Sequence, residues 1–109
     1  MATNLDVGKM RHLASVQAPT EIIAATGEVT KTWVEVSQPY MSLEPLSARE
    51  QLAMDRMDAT VTHRIGMWAN ADLKMNHRIV LGTRAFYITS IVESEDTMTI
   101  EIMAEEKQP

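Results

Sequence analysis

The sequence predicts an all-β fold: a small six- to seven-stranded β-barrel or sandwich with one short helical insertion between strands. Three observations carry this. Period-two alternation of apolar and polar residues dominates the chain. Turn signals recur at short intervals. Only one segment switches to helical spacing with a recognisable start signal.

Seven segments read as strands. Residues 11–17 form the first, ending before Pro19. Ala24-Ala25-Thr26-Gly27 makes a turn into the second, residues 28–37, which contains Trp33. Pro39 interrupts the pattern, because proline cannot donate to a ladder, and residues 40–44 form the third. The clearest alternation lies in residues 57–68. Met57, Ala59, Val61, His63, Ile65 and Met67 share one face, and Asp58, Thr60, Thr62, Arg64, Gly66 and Trp68 share the other. On a helix these apolar residues would scatter around the circumference. Residues 78–81 form a short strand, and Gly82-Thr83 is a two-residue turn with glycine first, as a tight hairpin requires. Residues 85–92 are rich in aromatic and β-branched side chains suited to a pleated, half-buried surface. The polar turn Glu93-Ser94-Glu95-Asp96 leads into residues 97–104, where Met98, Ile100, Ile102 and Ala104 alternate with Thr97, Thr99, Glu101 and Met103. Residues 1–8 and 105–109 read as flexible ends.

The exception to period two is residues 45–57. Ser47-Ala48-Arg49-Glu50 has Ser at the N-cap and Glu at N3, the capping-box pattern. Gln51, Leu52, Ala53, Met54, Asp55 and Arg56 follow as competent helix formers. A helix of about two turns is expected.

Length and charge bound the function. A chain of 109 residues is the size of one domain and should bury roughly two-thirds of its unfolded surface. No cysteine is present, which excludes disulfides and thiolate metal sites. Net charge is −5, so there is no general basic footprint for nucleic acid. The sign is unevenly distributed: residues 69–92 carry +2 and residues 93–109 carry −5. The N-terminus has neither the basic nor the apolar region of a signal peptide. Uninterrupted apolar runs, such as residues 22–25, are far too short for a membrane span. A soluble protein made in a reducing cytoplasm is expected, with no membrane partner.

No catalytic constellation stands out, and the chain is not expected to be an enzyme. His12, His63 and His77 lack metal-ligand spacing. His63, on the apolar face of its strand, reads as a hydrogen-bonded structural imidazole. There is no nucleophile elbow, and the four glycines are too dispersed for a phosphate loop. The acidic turn around Glu93 lacks the glycine and distal Glu of a calcium loop. No cofactor and no metal are expected. Nine methionines are present; Met57, Met67 and Met98 fall at core positions, whereas Met41 and Met54 flank the insertion and could face a partner. Arg49, Glu50, Asp55, Arg56 and Asp58 make a mixed-sign surface there, suited either to solvent or to a subunit interface.

The order of motifs adds a resemblance. Gly8-Lys9-Met10-Arg11-His12, then Gln17-Ala18-Pro19, then Gly27-Glu28-Val29-Thr30-Lys31-Thr32-Trp33 follow one another. Glu44-Pro45-Leu46-Ser47-Ala48-Arg49-Glu50, Thr62-His63-Arg64-Ile65 and Leu81-Gly82-Thr83-Arg84-Ala85-Phe86-Tyr87-Ile88 complete the series. The succession resembles the head–tail adaptor family of long-tailed bacteriophages, also called head-closure or stopper proteins, and spans residues 8–104. It departs from the family pattern at Leu13-Ala14 and at Ala48. The resemblance implies a β-barrel whose copies form a ring, six- or twelve-fold, at the neck of the virion. Such a ring sits below the portal and its adaptor, closes the DNA-filled head and offers the tail or its terminator a docking surface. DNA passes without sequence-specific binding, which suits an acidic chain. The resemblance points to Glu44, Ser47, Arg49, Glu50, Met54 and Arg56 as ring-interface or channel-loop candidates. Arg11, His12, Gly27, Trp33, His63, Gly82, Arg84 and Phe86 are its structural motif residues.

A competing reading is an oligonucleotide- or ligand-binding barrel of OB type. It would need exposed aromatics beside a basic groove. Trp33, Tyr40, Trp68, Phe86 and Tyr87 are the only aromatics, and Arg78 and Arg84 are the best local cations.

Overall fold

The computed structural model describes residues 10–56, 60–69, 73–93 and 98–107. Eight strands and one helix follow in order: β1 (His12–Leu13), β2 (Ser15–Ile23), β3 (Val29–Ser37), β4 (Tyr40–Pro45), α1 (Ala48–Asp55), β5 (His63–Trp68), β6 (Arg78–Leu81), β7 (Arg84–Glu93) and β8 (Thr99–Lys107). All strands lie in one antiparallel sheet of order β1-β4-β5-β8-β7-β6-β2-β3. The seven segments expected become eight because the first is interrupted at Ala14, whose N–H turns to the carbonyl of Pro39 at 2.9 Å.

That interruption rolls up the sheet. One residue separates β1, which pairs with β4, from β2, which pairs with β6. A single run of chain therefore touches both ends of the strand series and curls it around the core. The core is the inward face: Val16, Met41, Ile65, Met67, Ile79, Phe86, Ile100, Ile102 and Ala104, all fully or almost fully buried. Each is flanked along its strand by a residue pointing the other way, as the pleat dictates.

The β2–β3 pair continues past the barrel. Only Ser15, Val16 and Gln17 of β2 are paired with β6, whereas pairing with β3 continues to Ile23↔Val29. Residues 18–34 are thus a two-stranded arm. Its tip closes at Gly27, where φ is +86° and the Gly27 N–H reaches the carbonyl of Ala24 at 2.9 Å. The first strand does not end before Pro19; it runs through it. Beyond Gln17 one side of β2 is unpaired, and proline is tolerated beside an open strand edge.

Four further expectations are corrected. The residues from 105 onwards are not a frayed tail as far as Lys107, because β8 pairs with β7 through Ala85↔Lys107. Strand β5 starts at His63 rather than at residue 57; residues 57–59 lie outside the described residues. Met98, just before β8, is exposed rather than in the core, and Met41 is fully buried rather than turned to a partner. Residues 78–81 and the Gly82-Thr83 turn stand as expected, with Gly82 at φ +63°. Of the turn expected over residues 93–96, Glu93 ends β7, and residues 94–96, with residue 97 of the expected last strand, lie outside the described residues.

Candidate assembly surfaces

The inward faces of three strands turn polar at the β6–β7 turn end of the barrel. His63 on β5, Arg84 on β7 and Glu106 on β8 follow the buried positions Ile65, Phe86 and Ala104 at a spacing of two. Together they close that end over Phe86. The Arg84 guanidinium grips the Glu106 carboxylate with two bonds, Nε to Oε2 at 2.7 Å and Nη2 to Oε1 at 3.1 Å. The fork geometry makes this stronger than a single contact. The same guanidinium lies 5.0 Å from the Phe86 ring centre. The His63 ring meets Phe86 edge-on, 5.2 Å between centroids.

The Thr62 hydroxyl oxygen accepts the Glu106 backbone N–H at 2.8 Å and lies 3.4 Å from the carbonyl of Ala104. His63 Nδ1 lies 2.8 Å from that oxygen, and its Nε2 lies 3.4 Å from Arg84 Nη2 and 3.9 Å from Glu106 Oε1. Burial lowers the His63 pKa, with the Arg84 charge acting in the same direction and Glu106 against it. His63 is thus half-buried and held among Thr62, Phe86, Arg84 and Glu106.

Unfolded chains take up the proton at a higher pH than folded ones, so folding stability falls as pH drops through about 6.5 toward the lower folded value. Below that value this group costs nothing more. Urea midpoints measured at pH 7.5 and 5.5 should differ in this direction. The difference should shrink in His63→Gln; an unchanged difference would show that other groups carry it.

The insertion stands at the same end, because β4 leads into it from Pro45, opposite His63. Leu46 anchors its start: the side chain is buried, and its N–H bonds the carbonyl of Thr62 at 2.9 Å. The capping box forms as expected. Ser47 Oγ accepts from the Glu50 N–H at 3.2 Å, and Glu50 Oε1 accepts from the Ser47 N–H at 3.3 Å. Helix α1 itself has no buried residue, and its apolar residues are not on one face. Propensity, caps and one ion-pair hub hold it, rather than burial.

That hub is Arg64, on the outward face of β5. Its Nε donates to Glu101 of β8 at 2.9 Å and its Nη2 to Glu50 of α1 at 3.0 Å, with Glu44 of β4 at 3.7 Å from Nη1. One guanidinium thus links two strands to the insertion. Its bond to Glu50, joined by the cap, holds that carboxyl below the usual range.

The candidate residues divide accordingly. Glu44, Ser47 and Glu50 are brought together around the start of α1. Arg49 and Arg56 are exposed, with no carboxylate within 4.0 Å among the described residues. Met54 is half-buried. Arg11 and His12 are exposed, and His12 is registered opposite Met41 of β4. Trp33 fixes the root of the arm: Arg78 lies over its ring at 4.4 Å, and Tyr87 packs edge-on at 6.0 Å. Arg78 in turn donates to Gln17 at 2.8 Å and to the Tyr87 hydroxyl at 3.2 Å. These contacts occupy the guanidinium that an oligonucleotide groove would turn to phosphate. Sequence reading did not identify Arg64, Glu101, Glu106 or this cluster as parts of a site.

Among the described residues no three His, Cys, Asp or Glu side chains come together as a metal site, and no helix is long and apolar enough to cross a membrane.

Comparison with known proteins agrees with this architecture. No curated protein sequence matches the chain. The solution structure of protein SF1141 from Shigella flexneri 2a is similar, with a TM-score of 0.75 and 22% identity over 94% of this chain and 96% of that one. A chain from the virion of a native gene transfer agent particle is also similar, with a TM-score of 0.61 and 14% identity over 91% and 96%. At these identities the likeness shows a shared fold. The model of a family described as phage head completion protein matches residues 5–107, nearly the whole barrel with its arm and insertion, and the chain belongs to that family.

Proposed function

We propose that this chain forms a ring at the head–tail junction of a phage virion, joins the portal–adaptor complex to the tail and helps retain packaged DNA. Membership of the head completion family supplies the setting. The observation that carries the finer reading is α1. It is capped and tied to Arg64, yet no residue of it is buried. A helix formed without a core to pack on has a surface left for a neighbour or for the channel. The net charge of −5 keeps phosphate contacts from accumulating on a protein that DNA must pass.

Capsids assembled without this protein test the reading by electron microscopy. They should lose DNA and fail to join tails; filled, tailed particles would sink it. A narrower test uses Arg49→Glu combined with Arg56→Glu. Both side chains are exposed, so folding should change by no more than about 0.5 kcal/mol each. The thermal midpoint should stay nearly constant while neck assembly drops. Normal assembly would remove the insertion from the interface.

A further inference from the structure

We propose that the uncharged face of the β2–β3 arm docks on an apolar patch formed by Leu13, Tyr40 and Trp68 of a second copy of this chain. The proposal deepens the ring reading above by naming the surfaces that meet.

The arm's two faces differ in kind. Register places Gln17, Pro19, Glu21 and Ile23 with Val29, Lys31, Trp33 and Glu35 on one face. That face holds all the charged residues of the paired strands and, through Trp33 and Arg78, is fastened to the outside of the barrel. The other face pairs Ala18 with Val34, Thr20 with Thr32 and Ile22 with Thr30. It carries no charge, and it prolongs the side of β2 on which Val16 enters the core. A two-stranded ribbon is marginal alone, and an open, uncharged, β-branched ribbon at a sheet edge invites pairing. Such a surface calls for a cover.

The cover has a matching surface elsewhere on the chain. Met41 and Met67 are registered opposite each other and point inward, so their neighbours Tyr40 and Trp68 point outward side by side. Leu13 is registered against Tyr40 on the next strand. Leu13, Tyr40 and Trp68, with Ile22 and Val34 of the arm, are each 46–57% exposed.

The two surfaces do not meet within one molecule. Leu13 and Ile22 lie nine residues apart on almost continuous strand, about 30 Å at strand rise. Each copy therefore has one arm to give and one patch to receive. Contacts between unlike patches run head to tail and close into a ring when the rotation allows. A closed set leaves no arm and no patch uncovered, which a single dissimilar partner would not achieve. The Trp33–Arg78–Tyr87 contacts at the arm's root fix its direction before docking, which lowers the ordering cost.

The native chain has no cysteine, so introduced thiols report cleanly. Val34→Cys and Tyr40→Cys, both at exposed positions, are made singly and together and treated with a short bis-maleimide, in the purified chain and in assembled heads. The double variant should give a ladder running past the dimer in assembled heads, and in the purified chain as well where that chain assembles alone. A mixture of the two single variants should stop at the dimer, and each alone should remain monomeric. Efficient linkage by either single variant would show a like-to-like contact and overturn the proposal. So would a double variant that is present in heads yet links only to other proteins or to none. Heads that lack even the unsubstituted chain would instead overturn the ring reading, and the arm contact would then be decided by the purified chain's ladder alone.

Discussion

Replacing Phe86 by alanine should lower folding stability by about 3–5 kcal/mol, a large share of the roughly 5–15 kcal/mol that holds a typical domain together. Phe86 is the largest fully buried side chain and belongs to the core cluster. It is registered against Ile79 on β6 and Glu106 on β8, so its ring spans three strands. Its removal leaves a cavity that the small Ala104 of the same core cluster cannot fill. It also removes the support beneath the polar closure, because the His63 ring packs edge-on against it and Arg84 lies over it. Phe86→Leu should recover a good part of the loss by restoring volume without the aromatic contacts. Chemical unfolding with a constant slope would measure both. A cost below about 1 kcal/mol for the alanine variant would mean that the strands collapse onto the gap.

What the sequence disclosed depended on how far apart the cooperating residues lie. The capping box was legible because Ser47 and Glu50 are three residues apart and the chemistry is local. The Gly82 turn was legible for the same reason. The inward face of β5 was readable from alternation alone, and Ile65 and Met67 are fully buried as that alternation requires. Arg64 was not readable as a hub, because its partners lie 14 and 37 residues away and only the β5–β8 and β4–β5 registers bring them together. Glu105-Glu106-Lys107 resembled a solvated end, since a charged run carries no mark of the strand opposite; pairing with Ala85, Phe86 and Tyr87 makes it part of the sheet. Met98 follows the alternation of β8 but falls just before the strand begins, where the pleat no longer dictates its direction. The continuation through Pro19 was hidden because proline is harmless only where an edge is open, and that opening depends on where β6 stops pairing.

The hub leads to the second large effect, which falls on assembly more than on folding. In Arg64→Met the stem is kept and the guanidinium is lost. Glu101, whose side chain is only 16% exposed, then lacks its 2.9 Å partner. An unpaired carboxylate in that position should cost about 1 kcal/mol, discounted for its partial contact with solvent. Helix α1 loses more in relative terms, because the Glu50 bond ties it to the barrel wall and none of its residues is fully buried. Amide exchange at Gln51 and Arg56, whose N–H groups bond within the helix, should accelerate several-fold while core amides such as Ile65 change little. If α1 meets a neighbouring subunit, as proposed above, neck assembly should then fall further than the small stability loss accounts for, since an element that must be ordered again on docking binds less well. Arg64→Lys should restore stability in part but not the helix, because one ammonium does not reproduce a fork that reaches Glu50 and Glu101 at once. Exchange in α1 that matches the parent protein in Arg64→Met would show that the capping box alone orders the insertion. On the proposed ring reading assembly should then be untouched as well, because the hub would reach a neighbouring subunit only through the helix it holds.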